Sequence, residues 1–154
     1  TATRLPEEAP IEIGNAQVLI LGMGRVGTAT YDILQKSMNK ELVGIEYNLK
    51  TVDKHRTTGR NVVLGDVTDP DFWTRIQADP QTDNYLVVLA TSNHTIHLQV
   101  LNELKKVEVN LQIASLYRYD DEKEELLEAG ADIVFNLYAE AGSGYGRHIA
   151  QQFA

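Results

Sequence analysis

Residues 16–27, A-Q-V-L-I-L-G-M-G-R-V-G, constrain the fold more than any other part of the chain. An apolar run leads directly into Gly22, Gly24 and Gly27, the G-x-G-x-x-G spacing of a strand that turns sharply into a helix. The first glycine allows the tight turn, and the second removes a Cβ that would hold a pyrophosphate off the backbone. The third lets the helix pack closely on the strand. Many dinucleotide-binding units share these glycines, so the rest of the chain decides what they serve.

The flanking pattern supplies the context the turn needs. A strand is expected at about 17–21. From Arg25 onward Val26, Ala29, Ile33, Leu34 and Met38 fall on one face at helical spacing. E-L-V-G-I-E at 41–46 is a second strand, apolar inside as a strand buried on both faces should be. A short helix over about 49–58 precedes a third strand at 61–64, which ends in Gly65-Asp66. Asp69-Pro70 then starts a turn or helix with Phe72, Trp73 and Ile76 on its buried side. A fourth strand at 85–90 runs into T-S-N-H, where Thr91, Ser92 and Asn93 are all capable helix caps. Ile96, Val100, Leu101 and Leu104 give the next helix its apolar face. A fifth strand at 111–115, an acid-first helix at 120–129 stopped by Gly130, a sixth strand at 132–135 and a last helix over about 140–153 complete the chain.

Strands alternating with helices at this cadence predict a Rossmann-like α/β fold: a doubly wound, parallel, six-stranded sheet with right-handed crossovers and strand order 3-2-1-4-5-6. In such sheets the ligand crevice lies at the carboxyl ends of the strands flanking the order reversal. Four separate segments are therefore expected to meet in one groove: 22–27, Glu46, 65–67 and 90–93.

Composition bounds the alternatives. A chain of 154 residues is expected to form one domain, with no cysteine for a disulfide, a thiolate metal site or a redox-sensing thiol. A net charge of -8 opposes adhesion to nucleic acid, which rests on neutralising phosphates with Lys and Arg. The longest apolar runs are strand-length, far short of the roughly 18–20 residues that span a bilayer. The opening T-A-T-R-L-P-E-E-A-P has neither the apolar core of a signal peptide nor the acid-poor character of a transit peptide, and it reads as the start of a piece cut from a longer chain. Residues 1–14 are taken as a linker or loosely docked arm and 15–154 as the nucleotide-binding unit.

Each segment carries its own chemistry. Free backbone N–H groups and the helix dipole at Gly24, Arg25, Val26 and Gly27 favour a phosphate; the Arg25 guanidinium adds a charged fork there or stands as a solvated helix-start cation. Glu46 lies 19 residues after Gly27, near the ~20-residue interval at which an acid takes the ribose hydroxyls of a dinucleotide. An acid there disfavours a 2′-phosphate, so the ligand class is NAD-like or an adenosine nucleotide rather than NADP. Asp66 can accept from the adenine exocyclic amine while the Val67 N–H donates to a ring nitrogen; taken alone, Asp66 reads as a turn residue.

With G-M-G-R-V-G, Glu46, Gly65-Asp66-Val67-Thr68 and A-T-S-N together, the sequence resembles the Trk-type and Kef-type nucleotide-binding regulatory domains of potassium transport systems, the RCK or KTN domains, and is most similar to the Kef-type glutathione-regulated efflux group. The resemblance runs from about Asn15 to the C-terminus. It implies that Glu46 holds ribose, that Gly65, Asp66 and Val67 hold adenine, that Gly22, Gly24, Arg25, Val26 and Gly27 hold phosphates, and that Thr91 and Asn93 form the far side of the groove. It further implies bound NAD(H), AMP or ATP, pairing into a homodimer, and a membrane antiporter or channel as partner, in the same chain or another, with the domain at the cytoplasmic face of the membrane. The chain departs from the pattern after the sixth strand, where N-L-Y-A-E-A-G-S-G-Y-G lacks the proline many relatives carry. Arg118 is the candidate for a glutathione-conjugate contact, or an exposed loop arginine.

No catalytic set can be assembled. His94 and His97 sit three apart on one helix without a third ligand at zinc-like spacing, and His55 and His148 read as surface residues. Gly142, Gly144 and Gly146 are not led into by a strand of proper length and read as close helix packing or a hinge. The leading expectation is a non-catalytic nucleotide sensor. The alternative is the cofactor half of an NAD-dependent oxidoreductase.

Overall fold

The computed structural model describes residues 11–76, 79, 81 and 84–154. Its centre is β1 (Val18–Leu21), every residue of which is buried because the strand is sandwiched on both faces. The chain runs from β1 through α1 (Arg25–Ser37), β2 (Leu42–Glu46), α2 (Leu49–Thr57), β3 (Val62–Leu64) and α3 (Pro70–Arg75). It then crosses to β4 (Tyr85–Leu89), α4 (His94–Leu104), β5 (Leu111–Tyr117), α5 (Asp120–Glu128), β6 (Ile133–Asn136) and α6 (Leu137–Phe153). The six strands are all parallel in the order β3-β2-β1-β4-β5-β6, the order expected from the cadence of the sequence.

Alternation along β1 sorts the core into two layers. Leu19 and Leu21 face a cluster with Val87, Leu89, Phe72, Leu101 and Leu126, which seats α3, α4 and α5 on one side of the sheet. Val18 and Ile20 face Tyr31, Val52 and Met23, which seats α1 and α2 on the other. Each such fully buried aliphatic side chain contributes about 1.5–3 kcal/mol relative to exposure. A glycine stands at position 44 because Met23 fills the space a side chain would need: a Cβ there would lie 2.6 Å from the Met23 Sδ.

Residues 1–10 of the expected arm lie outside the described residues. Its last residues are tied in: Ile11 N–H donates to the Arg75 carbonyl at 2.9 Å, Ile11 bridges Ile76 in parallel, and Ile13 is buried in the core. The last helix begins at Leu137 rather than near Glu140. Asn136 Oδ1 accepts from the N–H groups of Tyr138 and Ala139 and so caps the helix three residues earlier than the sequence pattern suggests. Gly142, Gly144 and Gly146 all lie within this helix.

Candidate functional site

At the carboxyl ends of β1–β4 a cavity of about 790 Å³ opens. Gly22, Gly24, Arg25, Val26, Glu46, Gly65, Asp66, Val67, Thr91 and Asn93 all line it. Gly27 lies behind this lining, where a Cβ would overlap the Gly22 carbonyl oxygen; it serves the close contact of helix and strand and offers no side of its own to the cavity. Tyr47, Asn48, Thr51, Ser92, Ile96, Leu116, Arg118 and Leu137 are among the other residues of the wall. A second, polar cleft of about 590 Å³, lined by Gln17, Lys40, Glu41 and Asp79 among others, is away from the four predicted segments.

The turn after β1 explains its glycines. Gly22 has φ +96°, a left-handed conformation that costs other residues energy, and a Cβ on it would stand 2.8 Å from the Thr91 methyl. The first helical bond of α1 runs from Thr28 N–H to the Gly24 carbonyl at 2.9 Å. The N–H groups of Arg25, Val26 and Gly27 consequently have no acceptor within the helix and make its mouth attractive to an anion.

Glu46 is 8% exposed, and backbone donors hold its carboxylate in place: Met23 N–H reaches Oε1 at 3.3 Å and Asn48 N–H reaches Oε2 at 2.8 Å. Each oxygen keeps a second lone pair for a ligand hydroxyl. Asn48 also caps α2, its Oδ1 accepting from Thr51 N–H at 3.1 Å. Asp66 accepts from the Thr68 N–H and hydroxyl through Oδ1, at 2.9 and 2.7 Å. The turn role and the purine-edge role are thus compatible, because both turn hydrogen bonds use Oδ1 alone and Asp66 lines the cavity. A Cβ at Gly65 would overlap the Phe72 ring.

On the opposite lip, Asn93 caps α4 by accepting from Ile96 N–H at 3.1 Å. The Thr91 N–H donates to His97 Nε2 at 3.1 Å, which fixes that nitrogen as the acceptor; Nδ1–H then faces the Ser115 hydroxyl at 3.2 Å, which donates to the Leu116 carbonyl. Burial pushes His97 down to about 4, so the imidazole is neutral and the lip is held at neutral pH. His97 is thereby committed to the fold, and the pair with His94 is no metal site; among the described residues no group of three or more His, Cys, Asp or Glu could hold one. His94 lies 3.9 Å from Glu122 and 3.6 Å from Glu125, its ring nitrogens buried. Burial works to raise the Glu122 carboxyl, but the N–H groups of Arg118 and Tyr119 and the nearby cations outweigh it and hold it below the usual range. Arg118 donates to the Ser92 carbonyl at 2.6 Å, so it bridges the β5 end to the β4 lip.

His55 corrects the sequence reading. It is buried rather than on the surface, with Nε2 2.8 Å from the Met23 carbonyl of the glycine turn. Its neighbours Lys54 and Arg56 are polar, and only the three-dimensional return of α2 against the turn reveals the contact. His97 escaped for the same reason. Asn48 could have been found, since an Asn immediately before the expected helix at 49–58 is a strong cap.

Comparison with known proteins agrees with this arrangement. The chain is similar in fold to the NAD(P)-binding domain of an exopolyphosphatase-related protein from Archaeoglobus fulgidus, with TM-score 0.76 and 19% identity over 88% of this chain and 98% of that one. It is similar to the TrkA-N domain of the inner membrane protein ybaL from Escherichia coli, with TM-score 0.69 and 23% identity over 94% and 100%. The Kef CTD from Shewanella denitrificans in its AMP-bound form gives TM-score 0.64 and 17% identity over 89% and 80%. No curated protein sequence matches significantly. The sequence profile of the TrkA-N domain matches residues 18–137, from the first residue of β1 through every wall of the groove, and the chain belongs to the TrkA-N domain family.

Proposed function

We propose that this protein is a nucleotide-binding regulatory domain. It senses AMP, ATP or NAD(H) in the groove at the ends of β1–β4 and biases a linked potassium efflux or uptake protein. The observation that carries this reading is the convergence of the glycine turn, Glu46, Asp66-Val67 and the Thr91–Asn93 lip on one cavity. In the proposed pose the α1 mouth and Arg25 take the phosphates, Glu46 the ribose hydroxyls, and Asp66 with the Val67 N–H the adenine edge. A ligand regulates only through differential affinity for two states of the assembly, so the domain needs no catalytic group of its own.

The regulatory unit comprises residues 15–154, with 1–14 as linker or docked arm, and it acts at the cytoplasmic face of the membrane as a homodimer. Among the described residues no helix is long and apolar enough to cross a bilayer. Exposed Tyr138, Tyr145, Ile149 and Phe153 on α6 support pairing through that helix.

Thermal unfolding with AMP, ATP, NAD and NADH separately tests the reading. A true ligand at a hundredfold excess over Kd stabilises by about 2.7 kcal/mol, which for a chain of this size raises Tm by several degrees. No shift with any of the four defeats the proposal. If NAD stabilises while AMP does not, the nicotinamide half matters, and the cofactor half of an NAD-dependent oxidoreductase becomes the better reading.

A further inference from the structure

Met23 stands in the middle of the glycine turn, and both of its backbone polar atoms are held by the protein. Its N–H donates to Glu46 Oε1 at 3.3 Å. Its carbonyl accepts from His55 at 2.8 Å and from the Thr28 hydroxyl at 3.2 Å. A carbonyl can only accept, so His55 Nε2 carries a proton. On the other side of the ring Arg60 Nη1, which can only donate, lies 3.4 Å from Nδ1, so that nitrogen presents its lone pair. Arg60 is itself fixed by a two-pronged pairing with Asp32 on α1, Nε to Oδ1 and Nη2 to Oδ2, both at 2.8 Å. The pairing holds the Asp32 carboxyl below its ordinary range and raises the Arg60 guanidinium above its own.

We propose that His55 is the positioning residue of the phosphate turn: locked as the neutral Nε2–H tautomer by Arg60, it clamps the Met23 carbonyl and thereby aims the Gly24 N–H into the groove. The geometry follows from the peptide unit. The Met23–Gly24 bond is trans, so its carbonyl and N–H point in opposite directions. With the carbonyl turned inward onto a buried imidazole, the N–H faces the cavity that Gly24 lines. The Met23 N–H, on the preceding peptide unit, donates to Glu46, so the residue that His55 clamps also joins the phosphate corner to the ribose acid. This inference rests on reading the groove as a nucleotide site.

Two measurements decide it. In the wild-type chain at mildly alkaline pH, imidazole 15N NMR is expected to report His55 as neutral and protonated at Nε2; a predominant Nδ1–H tautomer overturns the proposal. Calorimetric titrations then compare AMP with adenosine, which lacks the phosphate. His55→Leu is expected to weaken AMP about tenfold, the loss that follows from one misdirected buried hydrogen bond, with a much smaller effect on adenosine. His55→Gln, whose amide N–H can occupy the place of Nε2, should restore AMP affinity to within about twofold. Unchanged AMP affinity in His55→Leu, or equal losses for AMP and adenosine, overturns the proposal. Should His55→Leu fail to fold, Arg60→Gln frees the tautomer and is expected to weaken AMP selectively; no selective loss overturns it. If the wild-type chain binds neither compound, the nucleotide reading fails instead, and the tautomer still decides whether the clamp exists.

Discussion

Glu46 and His97 show how single side chains on opposite lips of the groove are kept ready in different ways. Glu46 is held by two backbone N–H groups, so its removal strands those donors as well as deleting the proposed ribose acceptor. Glu46→Ala is expected to abolish most of the nucleotide-induced Tm shift, while Glu46→Gln should retain part of it through its carbonyl oxygen. His97 is ready only while it is neutral. Its folded value of about 4 lies below the ordinary 6.5, so the unfolded chain binds the extra proton between those values. Stability from this residue is complete above about pH 6.5 and is lost as pH falls toward 4, by about 3 kcal/mol in all. Urea unfolding across that range should show the loss, and His97→Gln, which cannot titrate, should flatten it. In the wild-type chain acid should also release the Thr91 lip, because a protonated Nε2 can no longer accept from its N–H.

Among the elements, α4 begins at a residue that has a structural role and a proposed ligand role. Asn93 Oδ1 caps the helix, while the rest of the side chain borders the cavity. Asn93→Ala is expected to cost about 1 kcal/mol, or roughly 2–4 °C in Tm. Asn93→Asp keeps the cap and should leave Tm nearly unchanged, yet it adds a negative charge to the lining of the cavity proposed to hold the nucleotide and should weaken AMP in a calorimetric titration. The elements themselves were largely legible, because the apolar periods of β1, β2 and β4 and the caps at Asn93 and Asp69 are local signals. Glu46 was legible for the same reason, through its spacing from the glycines. What stayed hidden depends on return of the chain: His55 meets Met23 across 32 residues and His97 meets Ser115 across 18, and no local pattern encodes such partners. The start of α6 was misplaced because a run containing three glycines carries a weak helical signal, whereas the side chain of Asn136 fixes the first turn.

For the molecule as a whole, α6 is the part whose stability is least explained by its own contacts. It has 17 residues and none of them is buried. Three interior glycines cost roughly 3 kcal/mol relative to alanine, and its apolar side chains at 138, 145, 149 and 153 form one stripe. In the homodimer proposed above, docking against a second copy would offset that cost, and a Cβ at Gly142 or Gly146 would meet nothing within 4 Å, which leaves space for a close approach. Tyr145→Asp combined with Ile149→Asp is therefore expected to convert a dimer into a monomer in light scattering and to leave AMP binding within about twofold, since neither residue lines the groove. A wild-type chain that is monomeric at every concentration would remove this pairing.

The contact between Gly22 and Thr91 ties together the two sides of the groove. The turns after β1 and β4 meet so closely that a single methyl on Gly22 would collide with Thr91, and Ser92 beside it is joined to Arg118 at the far end of β5. The two halves of the sheet thus share one rigid joint instead of flanking an open seam. On the function proposed above, a mononucleotide filling only the β1–β3 half would border the same contact as a full dinucleotide, because Gly22 and Thr91 both line the groove.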